Sequence, residues 1–304
     1  MSDSDRLRDD RRAAKPARNA AASAVPASRR GLAREISRRG LCSRADAATA
    51  IRAGRVCVDG RCIRDPEHPC GAHARIEMDG HPVLPGEGIY LALNKPRGLL
   101  TTARDEHGRD TIYALLADAG LPWLAPVGRL DKASEGLLLV TNDSAWAAAL
   151  IDPARHVPKT YRVQVRGVPD AAALARMRTG ISDNDEHLAV REVALLQSGG
   201  RTAWLECVLD EGRNRHLRRL FAALDFEVLR LLRVAIGPQV LGDLARGAWR
   251  RLDAREVAAL AAAAGLTASR ARVASSPSAG RKFPAAAVPA RAPSSARRGA
   301  PGAR

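Results

Sequence analysis

The segment Gly128-Arg-Leu-Asp131-Lys-Ala-Ser-Glu-Gly-Leu-Leu-Leu-Val-Thr-Asn-Asp143 holds the aspartate of this chain best placed for chemistry. Asp131 falls in a polar turn ahead of an apolar run, among small, charged and glycine neighbours. Loops held at a sheet end are where catalytic groups are commonly mounted. By itself, a loop aspartate is ordinarily a turn or capping residue. No phosphate loop, dinucleotide fingerprint, HExxH or GxSxG occurs. The seven histidines are dispersed, and Asp183-Asn-Asp-Glu-His187 lacks calcium-loop spacing, so it reads as a solvated turn. Among five cysteines, Cys57, Cys62 and Cys70 with His73 contain no C-x-x-C pair, which argues against zinc. If Asp59-Gly60 is a two-residue hairpin turn, Cys57 and Cys62 face each other across it. A reducing cytosol would keep them as thiols.

The elements that must position these residues form two groups. Leu32–Ile36 has helical spacing and stops at Gly40; Ser43-Arg-Ala-Asp46 resembles a capping box opening a second helix that ends at Gly54. A β-hairpin follows over Arg55–Ile63. Residues 66–88, with prolines at 66, 69, 82 and 85, read as the module's edge and a linker. Beyond it, strands are predicted near 89–94, 136–141, 160–166, 190–196, 202–209 and 228–236. Helices are predicted near 111–119, from an Asn142-Asp143 cap through Leu150, over 170–178, over 213–224 and from Asp253 to Gly265. In the 213–224 helix His216, Leu217, Leu220, Phe221 and Leu224 share one face, with Arg215, Arg218 and Arg219 outside it. Strands and helices interleave without βαβ repeats. The fold class expected is α+β, with a mixed, largely antiparallel sheet and flanking helices.

The formal charge of +16 sits mostly at the ends. Residues 1–30 carry eight Arg and Lys against four Asp, and residues 267–304 carry eight and no acid. Both ends are rich in Ala, Pro, Ser and Arg and are expected to be disordered basic tails. Such tails favour a polyanion, chiefly nucleic acid, or simply keep the chain soluble. No apolar run is long enough to span a bilayer, and the N-terminus lacks the apolar core of a secretory signal. No membrane association and a cytoplasmic location are expected.

Two resemblances organise these observations. Residues 32–64, especially R-R-G-L-C-S-R-A-D-A and A-G-R-V-C-V-D-G, resemble the S4 RNA-binding domain of two helices plus hairpin. Arg34, Arg38, Arg39, Arg44, Arg52 and Arg55 are its implied RNA contacts. Gly128-Arg-Leu-Asp131 with Glu135-Gly-Leu-Leu-Leu-Val-Thr-Asn-Asp143 resembles the catalytic motif of RNA pseudouridine synthases, in the RsuA/RluB-like branch that modifies ribosomal RNA. Three further stretches resemble that family's motifs in order. They are Asn94-Lys-Pro-Arg-Gly98, Lys159-Thr-Tyr161-Arg-Val, and Glu211-Gly-Arg213-Asn-Arg-His-Leu-Arg-Arg-Leu220 followed by Arg230-Leu231. The implied organisation is an S4-like module with linker over 31–88 and a catalytic domain over 89–266.

The reaction implied is isomerisation of a uridine in ribosomal RNA, 23S in preference to 16S. Asp131 matches the catalytic carboxylate, acting on C1′ or on a sugar proton. Arg213 matches the arginine that pairs with it, and Tyr161 the tyrosine that stacks on the base. Leu231 matches the apolar pocket wall, and Arg129 the residue holding the displaced base. Lys95, Arg215, Arg218 and Arg219 are candidate phosphate contacts. No metal or organic cofactor is implied, because the leaving base is also the incoming nucleophile. The expected partner is ribosomal RNA or a pre-ribosomal particle, met by a monomer. A non-catalytic S4-type assembly factor is the competing reading, and it predicts a degenerate catalytic segment. A carboxylate-dependent nucleoside or sugar hydrolase is a third, but no paired-carboxylate motif stands out.

Overall fold

The computed structural model describes residues 30–71, 73–102 and 108–266. The expected tails, residues 1–29 and 267–304, lie outside the described residues. In the first group, helix α1 (Leu32–Arg38) buries Leu32, Ala33 and Ile36 against helix α2 (Arg44–Arg52), which buries Ala47, Ala50 and Ile51. Ser43 caps α2 by accepting from the Asp46 amide at 3.1 Å, an arrangement worth about 1 kcal/mol. The strands Val56–Val58 and Arg61–Ile63 form the expected hairpin, with Cys57 directly opposite Cys62. The two sulfurs are joined as a disulfide, contrary to the expectation of free thiols.

Residues 66–88 hold the expected edge of the module, which runs to Val83 and leaves only 84–88 as linker. Ile76–Met78 and His81–Pro82 extend the hairpin to a four-stranded sheet, and Ile76 and Val83 enter the same apolar core as α1 and α2. Strands this short show no usable alternation, and the flanking prolines masked them.

The second group is built on a larger sheet. Its strands run in the order Glu192–Ser198, Thr202–Leu209, Lys159–Arg166, Val228–Ile236, Glu135–Thr141, Tyr90–Lys95 and Trp249–Arg251. Neighbours are antiparallel except Val228–Ile236 and Glu135–Thr141, which meet in parallel through Leu232↔Glu135 and Arg233↔Gly136. The sheet is therefore two antiparallel halves joined along one short seam. Backbones come very close there: a Cβ on Gly136, whose φ is +105°, would lie 2.3 Å from the Arg233 carbonyl oxygen. All seven residues of Glu135–Thr141 are buried, as suits a strand covered on both faces.

Helices α3 (Ser144–Ile151) and α6 (Ala254–Ala263) pack with Tyr90, Leu137 and Leu139 in one core. Helices α4 (Ala171–Thr179) and α5 (His216–Ala222) cover the other half of the sheet. There Met177, Leu217, Leu220 and Phe221 meet Val163, Val165 and Leu205. Each fully buried aliphatic side chain contributes about 1.5–3 kcal/mol. Asp143 caps α3, accepting from Ala145 and Trp146 amides at 3.0 and 3.1 Å. Asn142, grouped with it as a cap, instead accepts from the Ile89 amide and donates to the Glu87 carbonyl. Asp253 and Glu256 form a complete capping box on α6. The helix predicted near 111–119 is two 3₁₀ segments, Ile112–Leu115 and Ala117–Ala119.

The two groups touch at the turn after α1. The Trp123 amide donates to the Gly40 carbonyl at 2.7 Å. Gly40 has φ +81°, and a Cβ there would lie 2.8 Å from the Pro122 side chain. Trp123 is stacked on Tyr113 at 4.9 Å, so the docking surface is itself held.

Candidate active site

A cleft of about 410 Å³ opens at the seam between the two halves of the large sheet. Asp131 and Arg129 line it from the loop ahead of Glu135–Thr141, Tyr161 from the Lys159–Arg166 strand, and Leu231 from the Val228–Ile236 strand. Arg213 and Arg215 line it from the turn that precedes α5. Residues scattered over more than 100 positions are thus brought to one concavity.

The loop carrying Asp131 is clamped by its main chain. The Leu130 carbonyl accepts from Thr101 Oγ1 at 2.7 Å, and the Ala133 carbonyl from Arg218 Nη2 at 3.1 Å. Lys95 Nζ donates to the carbonyls of Asp131 (3.2 Å), Ser134 (2.9 Å) and Pro96 (3.1 Å). An ammonium has three protons, and all three are engaged. Burial pushes the Lys95 amine down to about 8, against the pull of Asp131 and Glu135. The Asp131 carboxylate itself forms no hydrogen bond or ion pair with any described residue, so it stands free in the cleft.

Several expected RNA contacts have other work. Lys95 is fully buried, and a buried ammonium bound to three carbonyls cannot reach a phosphate. Arg39 is also buried, bonded to Glu35, the Val83 carbonyl and the Ala74 carbonyl. Burial would raise the Glu35 carboxyl, but hydrogen bonds and charge from Arg38 and Arg39 hold it below its usual value. Arg38 is bonded to Glu35 through both Nε and Nη2. Arg219 is held by Asp183 and Glu186, docking the Ile181–Asp183 and Glu186–Leu188 hairpin onto α5. The stretch read as a solvated turn is thus a hairpin tied to this helix. Arg218 supports the loop at Ala133. Arg55 is exposed but paired with Asp79 at 2.8 Å. Arg34, Arg44 and Arg52 are exposed and make no ion pair with a described residue; Arg215 is likewise exposed at the cleft, with φ +49°.

Arg213 does not contact Asp131: its Nε donates to Glu211 at 2.8 Å, and no ion pair joins it to Asp131. Three cleft residues escaped the sequence reading. His216 is buried, with Nδ1 4.0 Å from a Glu211 carboxylate oxygen. Burial lowers its pKa, and Glu211 opposes only in part, so the ring is held toward the neutral form. Lys159 and Arg233 also line the cleft, at 9% and 5% exposure. Their signal was present: each lies in the inward phase of an alternating strand, in step with Tyr161 and Leu231.

Residues 89–223 match the family described as RNA pseudouridylate synthase, and residues 26–76 match the S4 domain. The chain is 38% identical to an uncharacterized RNA pseudouridine synthase of Aquifex aeolicus (strain VF5), covering 76% of this chain and 93% of that one. It is 33% identical to ribosomal large subunit pseudouridine synthase B of Bacillus subtilis (strain 168), covering 77% and 96% respectively. A solved structure described as a pseudouridylate synthase superposes with a TM-score of 0.53 at 28% identity, covering 76% of this chain and 99% of that one. The chain belongs to the RNA pseudouridine synthases, isomerases of uridine in RNA, in the RsuA/RluB-like branch, and carries an S4 domain ahead of the catalytic one.

Proposed function

We propose that this enzyme converts a uridine of large-subunit (23S) ribosomal RNA to pseudouridine, with Asp131 as its catalytic carboxylate. The large-subunit reading is supported by the names of the Bacillus subtilis relative and of a 36% identical relative from Escherichia coli (strain K12), both ribosomal large subunit pseudouridine synthase B. The observation that carries the role of Asp131 is a partner-free carboxylate in a clamped loop, sharing one cleft with Tyr161, Arg213, Leu231 and Arg129.

Breaking the N1–C1′ bond builds positive character on the sugar and negative character on the base. A carboxylate beside C1′ meets the first demand, as nucleophile or as electrostatic and proton-transfer partner. Tyr161 would stack on the base, Leu231 wall the pocket, and Arg129 hold the nucleotide drawn from its stack, at a cost of a few kcal/mol. Arg213 would have to leave Glu211 to reach Asp131, a side-chain motion within the cleft. The substrate is met as ribosomal RNA or a pre-ribosomal particle, by a cytoplasmic monomer with catalytic residues within 89–266 and the S4 module within 31–88.

Mapping pseudouridines in ribosomal RNA from cells with and without this protein tests the reading. One large-subunit site should vanish with the protein and return with it; an unchanged map, or a lost site in 16S RNA, rejects the assignment. Changing Arg34, Arg44 and Arg52 together to Gln should weaken RNA binding. The slope of log affinity against log salt should become shallower by about two to three, since each phosphate contact contributes about 0.7–0.9. Filter binding across a salt series checks this, and an unaltered slope would place the RNA elsewhere on the module.

A further inference from the structure

Two cations in the cleft have no part in the chemistry described so far. Lys159 is nine-tenths buried and makes no hydrogen bond or ion pair with a described residue. Arg233 donates from Nε to the Leu137 carbonyl at 2.8 Å, while its Nη2 is buried without a partner. Both line the cleft that holds Asp131 and Tyr161. Lys159 stands two residues before Tyr161 on one strand and so projects from the same face. Arg233 is the register partner of Tyr161 on the next strand.

The free carboxylate of the cleft, Asp131, is assigned to C1′, and the two other acids nearby are engaged elsewhere. Asp210, which favours the charged form of Lys159, is bonded to Arg191 at 2.9 Å. Glu211 is bonded to Arg213 at 2.8 Å. Burial lowers the Lys159 amine from its usual value, and Arg233 lowers it further. Two largely buried residues whose cations repel each other, with neither ion-paired to a described residue, are electrostatically costly. Such a seat suits an anion that arrives with, or is formed from, the substrate.

We propose that Lys159 and Arg233 take the carbonyl oxygens of the target uracil and stabilise the negative charge it acquires when the glycosidic bond breaks. This inference rests on the isomerase reading of the cleft. When N1–C1′ cleaves, the electron pair leaves with the base and spreads to O2 and O4, where the two cations meet it; Asp131 answers the positive character left at C1′. After the base turns, C5 supplies the pair of the new C5–C1′ bond. C5 then loses its proton and N1 gains one, so the isomer differs from the substrate in connectivity alone. Arg215, exposed at the cleft, is available to the backbone, which leaves the more buried Lys159 and Arg233 for the base.

The test is Lys159→Met in single-turnover assays on substrate RNA, beside RNA carrying 5-fluorouridine at the target. On uridine the rate of glycosidic-bond cleavage should fall about 10²-fold, the scale of one lost charge-stabilising group, with RNA affinity within a few-fold. On 5-fluorouridine the deficit should shrink to a few-fold, because fluorine itself stabilises the departing anion. Lys159→Arg, which keeps the charge, should recover most of the loss. Should Lys159→Met fail to fold by thermal melting, Lys159→Gln replaces it in both arms. Equal deficits on both substrates would mark a merely structural lysine and overturn the proposal, as would an unchanged rate. A loss of affinity with a shallower salt slope and unchanged rate would instead make the pair a phosphate seat, also overturning it. A wild-type protein that forms no pseudouridine would remove the functional reading itself, a separate outcome.

Discussion

Asp131→Asn should abolish pseudouridine formation, with a rate loss of about 10³-fold or more, equivalent to at least about 4 kcal/mol of transition-state stabilisation. The variant keeps the shape of the side chain and removes its charge and basicity. That charge makes no hydrogen bond or ion pair with a described residue, and its one structural effect is to favour the charged form of Lys95 and Arg218. The loop is held through the carbonyls of Leu130, Asp131, Ala133 and Ser134, and the carboxylate has no described partner to orphan. Stability should therefore fall by no more than about 1 kcal/mol, the loss coming from weaker support of the buried Lys95 ammonium. RNA affinity should stay within a few-fold, since the basic residues of the module and cleft mouth are untouched. Product assays, thermal melting and binding on one preparation separate these effects. Retained activity would reject Asp131 as the catalytic carboxylate.

Gly136→Ala carries the largest expected cost to the fold. With φ at +105°, a side chain here is strained before any contact is counted. The added Cβ would also lie 2.3 Å from the Arg233 carbonyl oxygen and 2.9 Å from its amide nitrogen, both backbone atoms. Neither can yield without opening one of the two residue pairs that join the halves of the sheet. A loss of about 4 kcal/mol or more is expected, in the range reserved for strain at special backbone positions and broken cores. Gly98→Ala is the contrast. Its φ is +97° with nothing within 4 Å of the added carbon, so only strain of about 1–2 kcal/mol remains. Urea unfolding of the two variants measures the difference. Similar losses would mean that the seam relaxes around a methyl group.

Much of this was legible in the sequence for definite reasons. Ser43, Asp143, Asp170 and Asp253 each begin a helix as their chemistry suggests, because a cap acts on amides only two or three residues away. The ordered motifs around Asp131, Tyr161, Arg213 and Leu231 also indicated residues that share a cleft. What escaped was decided by distant partners. Arg39 and Arg219 look like Arg34 and Arg44 in sequence, yet the first two are tied to carboxylates and the latter are free at the surface. Lys95 read as a phosphate contact because three carbonyl partners, two of them more than 30 positions away, are visible only after folding. The Glu211–Arg213 pair was likewise hidden, since proximity in sequence does not say which acid an arginine will choose.

On the RNA-binding reading proposed above, the bond between Trp123 and Gly40, with Pro122 pressed against a glycine that admits no larger residue, would make the S4 module one jaw of a caliper. A caliper selects by span. Among many identical uridines, the one admitted would be that lying at the set distance from a backbone feature seated in the other jaw. Nucleotide letters near the target could then vary, while a single added base pair between grip and target would move it out of reach.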